Sequence, residues 1–164
     1  VKKLAALLAL LAAVGCDDST APSTPWFGTY VLHESYADSG VRWTKDFTIA
    51  LLAERGTGTG TWRCDYDYFL GVYEVDSITG GGGYADTTRW WLDPDSPCWY
   101  QPWDDTTMYI GGLANYEFVR IRPGEPRYYD RGTGPFFERW YPDSTWSSIR
   151  FRGDNGLEEI LTRR

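Results

Sequence analysis

Histidine and methionine occur once each in this chain, as His33 and Met108, and after Lys3 the only lysine is Lys45. A serine hydrolase would have to use His33 as its base, in a segment that reads as a strand, and no Gly-x-Ser-x-Gly run supplies the nucleophile. Cysteine is scarce as well. Of the three, Cys64 and Cys98 lack Cys-x-x-Cys spacing, so no metal site and no cofactor are expected. The aromatic same-face neighbours of Cys64 make it a structural rather than a reactive thiol. Positive charge is short, with 16 basic residues against 23 acidic ones and a formal charge of −7, which argues against nucleic acid as a partner. Carboxylates for glycoside hydrolysis can be nominated, Asp65, Asp67 and Glu138 among them, but their spacing selects none, and no enzymatic activity is expected. From Trp26 onward there is no sustained 3.6-residue periodicity, which leaves no place for an amphipathic helix.

The first residues do carry a pattern. Lys2 and Lys3 precede an apolar, uncharged run over residues 4–15, which ends in Ala13-Val14-Gly15-Cys16. As a helix this run would reach only about 18 Å, against roughly 30 Å of hydrocarbon core, so it reads as a signal and not as a membrane span. The small-residue triplet before a cysteine resembles the lipobox of bacterial lipoproteins. That resemblance implies cleavage before Cys16 and acylation of Cys16, which would be a stable tether if two or more chains are added. It places the mature protein in the bacterial cell envelope, anchored by palmitate-type lipid and extracytoplasmic. Residues 1–15 are then the signal peptide and residues 16–25, polar and containing proline, a flexible tether. Residues 26–164 form one domain.

Within that domain aromatic residues make up 17% of the sequence, with nine Trp and twelve Tyr, and they recur in short runs separated by Gly, Asp and Pro. Such runs predict strands, at residues 26–34, 46–53, 57–69, 72–78, 87–92, 107–110, 116–122, 127–129, 136–141, 145–151 and 157–162. The third is the most legible. Alternation places Trp62, Cys64, Tyr66 and Tyr68 on one face and Arg63, Asp65 and Asp67 on the other. Phe47, Ile49 and Leu51 share a face of the second. Asp154-Asn155-Gly156 predicts a tight hairpin and residues 80–83, all glycine, a flexible turn. The fold class is all-β, with about 8–10 antiparallel strands that close into a barrel or stack as a β-sandwich. With Cys16 acylated, Cys64 and Cys98 remain as a disulfide or as two buried thiols.

Gly28-Thr29-Tyr30, followed by Val31-Leu32, resembles the Gly-x-Trp opening strand of lipocalin-like bacterial domains, with Tyr in place of Trp. The hairpin around residues 47–62 is similar to their second and third strands. The resemblance implies an antiparallel up-and-down barrel whose cup binds a small apolar or amphipathic molecule, and the inward rings Tyr30, Trp62, Tyr66 and Tyr68 are the candidates to line it. A different surface is offered by residues 93–105, which read as a loop rich in proline, aspartate and rings. There Trp99, Tyr100 and Trp103 would stack on a glycan or an envelope partner, with Asp95, Asp104 and Asp105 as acceptors or calcium ligands. Coplanar exposure of those three rings would favour the glycan reading, and a cavity beside the third strand would favour the barrel with a ligand. The oligomeric state is not legible.

Overall fold

The computed structural model describes residues 26–56, 60–74, 83–93, 95, 98–153 and 156–164. Cys16, the signal segment, the tether, residues 80–82 of the glycine turn and Asn155 of the expected hairpin lie outside the described residues. Nine antiparallel strands and no helix make up the described fold: β1 (Gly28–Asp38), β2 (Val41–Arg55), β3 (Trp62–Glu74), β4 (Ala85–Leu92), β5 (Cys98–Asp104), β6 (Thr107–Ile121), β7 (Tyr128–Pro142), β8 (Ser148–Arg152) and β9 (Glu158–Arg163). Apart from β4 and β5, consecutive strands pair with each other, and β9 returns to β1 through Tyr30↔Arg163 and Val31↔Thr162. The result is a closed up-and-down barrel, which sets aside the sandwich. It has eight positions, because β4 and β5 are two halves of one. Both lie between β3 and β6, β4 pairing residues 67–73 of β3 and β5 pairing residues 62–64.

Glycines and prolines account for most differences from the expected strand boundaries. β6 and β7 were each expected as two short strands separated at Gly111-Gly112 and at Gly132 to Pro135, yet each is continuous over 15 residues. At Gly111 an added Cβ would lie 2.7 Å from the Trp99 ring, and at Gly132 one would lie 2.8 Å from Tyr116. Both glycines are therefore sites where a ring crosses the backbone rather than strand breaks. Pro135 is tolerated because that stretch of β7 pairs with β6 on one side and with no strand on the other among the described residues. The third strand spans Trp62–Glu74, running through Gly71, and residues 57–59 of the expected strand lie outside the described residues. β1 and β2 are longer than expected, meeting at a two-residue turn where Ser39 and Gly40 both have positive φ (51° and 84°). That is the signature of a type I′ hairpin.

The core fills one end of the barrel. Tyr30, Ile49, Tyr100, Met108, Ile110, Trp140, Ile149 and Leu161 are fully buried there, beside the Cys64–Cys98 disulfide. The β7–β8 connection closes that end. Asp143 accepts hydrogen bonds from the backbone N–H of Thr145, Ser147 and Ser148 and from all three of their hydroxyls, at 2.7–3.1 Å. This holds Trp146 at a positive φ of 56°, with its ring buried against Trp26. The same donors, Ser148 first, hold the Asp143 carboxyl well below the usual aspartate range. Since the folded-state value is depressed, the stabilisation is present above the ordinary aspartate pKa and is lost as pH falls below it. Asp143→Ala is expected to cost about 1–2 kcal/mol at neutral pH. The gap in melting temperature between wild type and variant should shrink between about pH 5 and about pH 2 in a calorimetric pH series.

Candidate functional site

At the other end the barrel opens. β8 and β9 are short, whereas β1, β2, β3, β4, β6 and β7 continue past them, so the wall is low on one side and tall on the other. From Phe47 to the rim at Val41, β2 alone gives a depth of about 20 Å. Strand alternation then decides what faces inward. Extending the Phe47, Ile49 and Leu51 face of β2 toward the rim brings Lys45 and Trp43 inside, while β7 contributes Phe136, Glu138 and Trp140.

Phe47 is the centre of the floor. Its ring meets those of Tyr66, Tyr68, Trp140 and Phe151 edge to face at 5.0–5.5 Å, and Phe151 stacks on Trp140 at 4.6 Å. Above it Tyr66 stacks on Phe136 at 5.2 Å, and Trp90 lies against Tyr116 at 5.1 Å. Two adjoining cavities open over this floor. One, of about 170 Å³, runs between Phe47, Tyr66, Tyr68, Trp90, Phe136 and Phe151, with Glu138 and Arg152 on its wall. The other, of about 450 Å³, lies between Trp43, Lys45, Tyr68, Leu70 and Leu157, with Glu34 at its edge. Tyr68 and Glu159 wall both. The larger falls in the size range of small-molecule sites.

The polar groups of the cup are few and specific. Lys45 Nζ donates to Glu159 Oε1 at 2.6 Å, and both side chains are more than nine-tenths buried. Glu159 Oε2 is buried with no hydrogen-bond partner. Glu138 accepts a hydrogen bond from Trp140 Nε1 at 2.8 Å.

Of the four rings expected to line a cup, Tyr66 and Tyr68 do so. Tyr30 and Trp62 sit at the closed end and line neither cavity. The Tyr30 hydroxyl donates to the carbonyls of Trp26 and Trp146, and burial pushes its pKa up to about 12. Trp62 packs edge-on against Phe27 and beneath the Arg55 guanidinium. The residues 93–105 are mostly strand, not loop, since β5 takes Cys98–Asp104. Within β5, Tyr100 points into the core beside Cys98 and donates to Leu52 O at 2.9 Å. Its pKa is raised by burial. Trp99 and Trp103 point outward, so the three rings do not form one plane.

The outward pair joins a row that the sequence did not reveal, in which Trp99 and Tyr109 flank Phe137 and Trp103 meets Tyr109 edge-on. Of the acids proposed beside them, Asp104 caps its own turn by accepting from the Thr106 N–H and hydroxyl, and Asp95 donates its N–H to Asp93. No grouping of three metal-binding side chains occurs among the described residues. His33 is exposed and pairs with Asp46 across the β1–β2 ladder at 2.5 Å, while Asp67 holds Arg89 on the outer face, opposite to Glu138.

Trp43, Lys45, Trp90, Phe136, Phe151 and Glu159 were missed as cup residues. For Trp43 and Lys45 the signal was available in the parity of β2. For Glu159 it was not, because its side depends on how the last strand closes against the first. The chain matches no protein-family model, no curated protein and no solved structure.

Proposed function

We propose that this protein is a lipid-anchored protein of the bacterial cell envelope, tethered through Cys16, whose barrel holds a small amphipathic molecule in its open end. The observation that carries the binding reading is the division of the barrel interior. One end is filled by packed side chains, whereas the other keeps two adjoining cavities walled by aromatic rings, with a handful of charged groups among them. Apolar walls with few polar groups are the usual make-up of a ligand site. The tether is supported by the lipobox-like residues 13–16 and by the polar stretch between them and Trp26.

The binding reading is tested by titrating the full chain with dodecanol, below its solubility limit, and following tryptophan fluorescence, since Trp43 and Trp90 wall the cup. Saturable binding is expected. Ala114→Phe, which places a ring in the smaller cavity, should weaken it by about tenfold or more while leaving the fold intact by circular dichroism. Unchanged affinity in that variant would place the ligand elsewhere.

A second reading is favoured by the outer row. Tyr109 and Phe137 stack at 5.5 Å with planes 13° apart, and Phe137 is 65% exposed. An exposed ring such as Phe137, backed by Tyr109, suits stacking against the face of a sugar ring. Phe137→Ala should abolish retention on immobilised polysaccharide if the row is a glycan site and should leave dodecanol binding unaffected.

A further inference from the structure

We infer that the molecule held in the cup carries a nitrogen cation with N–H groups, chemically a protonated alkylamine, and that Glu159 is its counter-ion. The inference rests on the cup being a ligand site. Glu159 walls both cavities and its side chain is only 8% exposed. One of its oxygens is satisfied by Lys45 Nζ at 2.6 Å; the other, Oε2, is buried with no partner. A buried acceptor without a donor is costly, and what the site lacks is therefore a donor rather than another acceptor.

The charge balance points the same way. Lys45 is already matched by Glu159, while Glu34, Glu138 and Glu158 stand on the same walls with Arg152 as the only other cation lining the two cavities among the described residues. An anionic headgroup entering here would meet a surplus of carboxylates. The rings of Tyr68, Trp90 and Phe136 add to the preference, because aromatic faces attract cations. A cation that bears hydrogens can donate to Oε2, which a fully alkylated one cannot do. The apolar floor around Phe47 and Phe151 would take the attached chain.

The test compares four probes of equal chain length on the full protein at neutral pH, each below its critical micelle concentration: dodecylammonium, dodecyltrimethylammonium, dodecanol and dodecanoate. Isothermal titration should show dodecylammonium binding about tenfold or more tighter than dodecanol and dodecanoate, with the trimethyl compound between. Glu159→Gln should erase that preference. Because this variant leaves Lys45 buried without its partner, Lys45→Met/Glu159→Gln is measured beside it. The double variant should still bind dodecanol and show no preference for the amine. Equal binding of amine and alcohol, tighter binding of dodecanoate, or a preference that survives in both variants would overturn the cation assignment and leave the cup standing. Failure of all four probes to saturate would overturn both.

Discussion

Lys45→Met is expected to destabilise the protein by about 3–5 kcal/mol, the largest effect of any single charge removal in the barrel. Lys45 and Glu159 come from strands 114 residues apart in sequence and meet inside the cup at 2.6 Å, with both side chains buried. Their attraction offsets the cost of taking two charges out of water. Removing only the lysine leaves a buried carboxylate with neither oxygen paired. Removing both partners is different: Lys45→Met/Glu159→Leu is expected to be neutral or stabilising, since apolar groups of similar volume then line the site. Chemical denaturation of the wild type, the single variant and the double variant measures the pair directly. Equal stability of all three would mean that water reaches the pair freely. If the cup binds cations at Glu159, Lys45→Met should also bind dodecylammonium more tightly than the wild type and regain part of its lost stability when the ligand is present.

Removal of the Cys64–Cys98 disulfide is expected to cost about 4 kcal/mol, or about 10 °C in melting temperature for a domain of this size. The two cysteines are directly opposite across β3 and β5, 5.0 Å apart at Cα, and both are buried. The bridge closes a loop with a sequence separation of 34 that includes β4. It reinforces the short junction of β5 with β3, where only Cys98, Trp99 and Tyr100 pair, while the other edge of β5 pairs with β6. Urea unfolding of the oxidised protein against Cys64→Ala/Cys98→Ala measures the loss. A midpoint shift near zero would show that the packing of Tyr100 and the ladder to β6 hold β5 in the barrel without the bridge.

The strand alternation that makes the barrel is written plainly in β3, where Trp62, Cys64, Tyr66 and Tyr68 share the inner face and Arg63 and Asp65 the outer. What alternation does not encode is depth. Trp62 and Tyr68 have the same parity, yet one is in the packed end and the other on the cup wall, because the difference is set by how far the short β8–β9 hairpin reaches. Gly111, Gly132 and Pro135 resemble strand breaks until the rings and the unpaired edge that tolerate them are known. Tyr100 illustrates an inference within reach of the sequence. If Cys98 faces inward to bridge Cys64, then Tyr100 must face inward too, and Trp99 and Trp103 fall on the outer side. Lys45 and Glu159 could be placed together only after the closure register between β1 and β9 was known, since nothing local to either residue identifies the other.

The most direct test of the cup is a crystal structure of the full chain grown with saturating dodecylammonium. Elongated density is expected between Tyr68, Trp90 and Phe136, with its chain over Phe47 and its nitrogen within hydrogen-bond distance of Glu159 Oε2. A cup that holds only water under those conditions, with the amine on the Tyr109–Phe137 row or absent, would contradict the account.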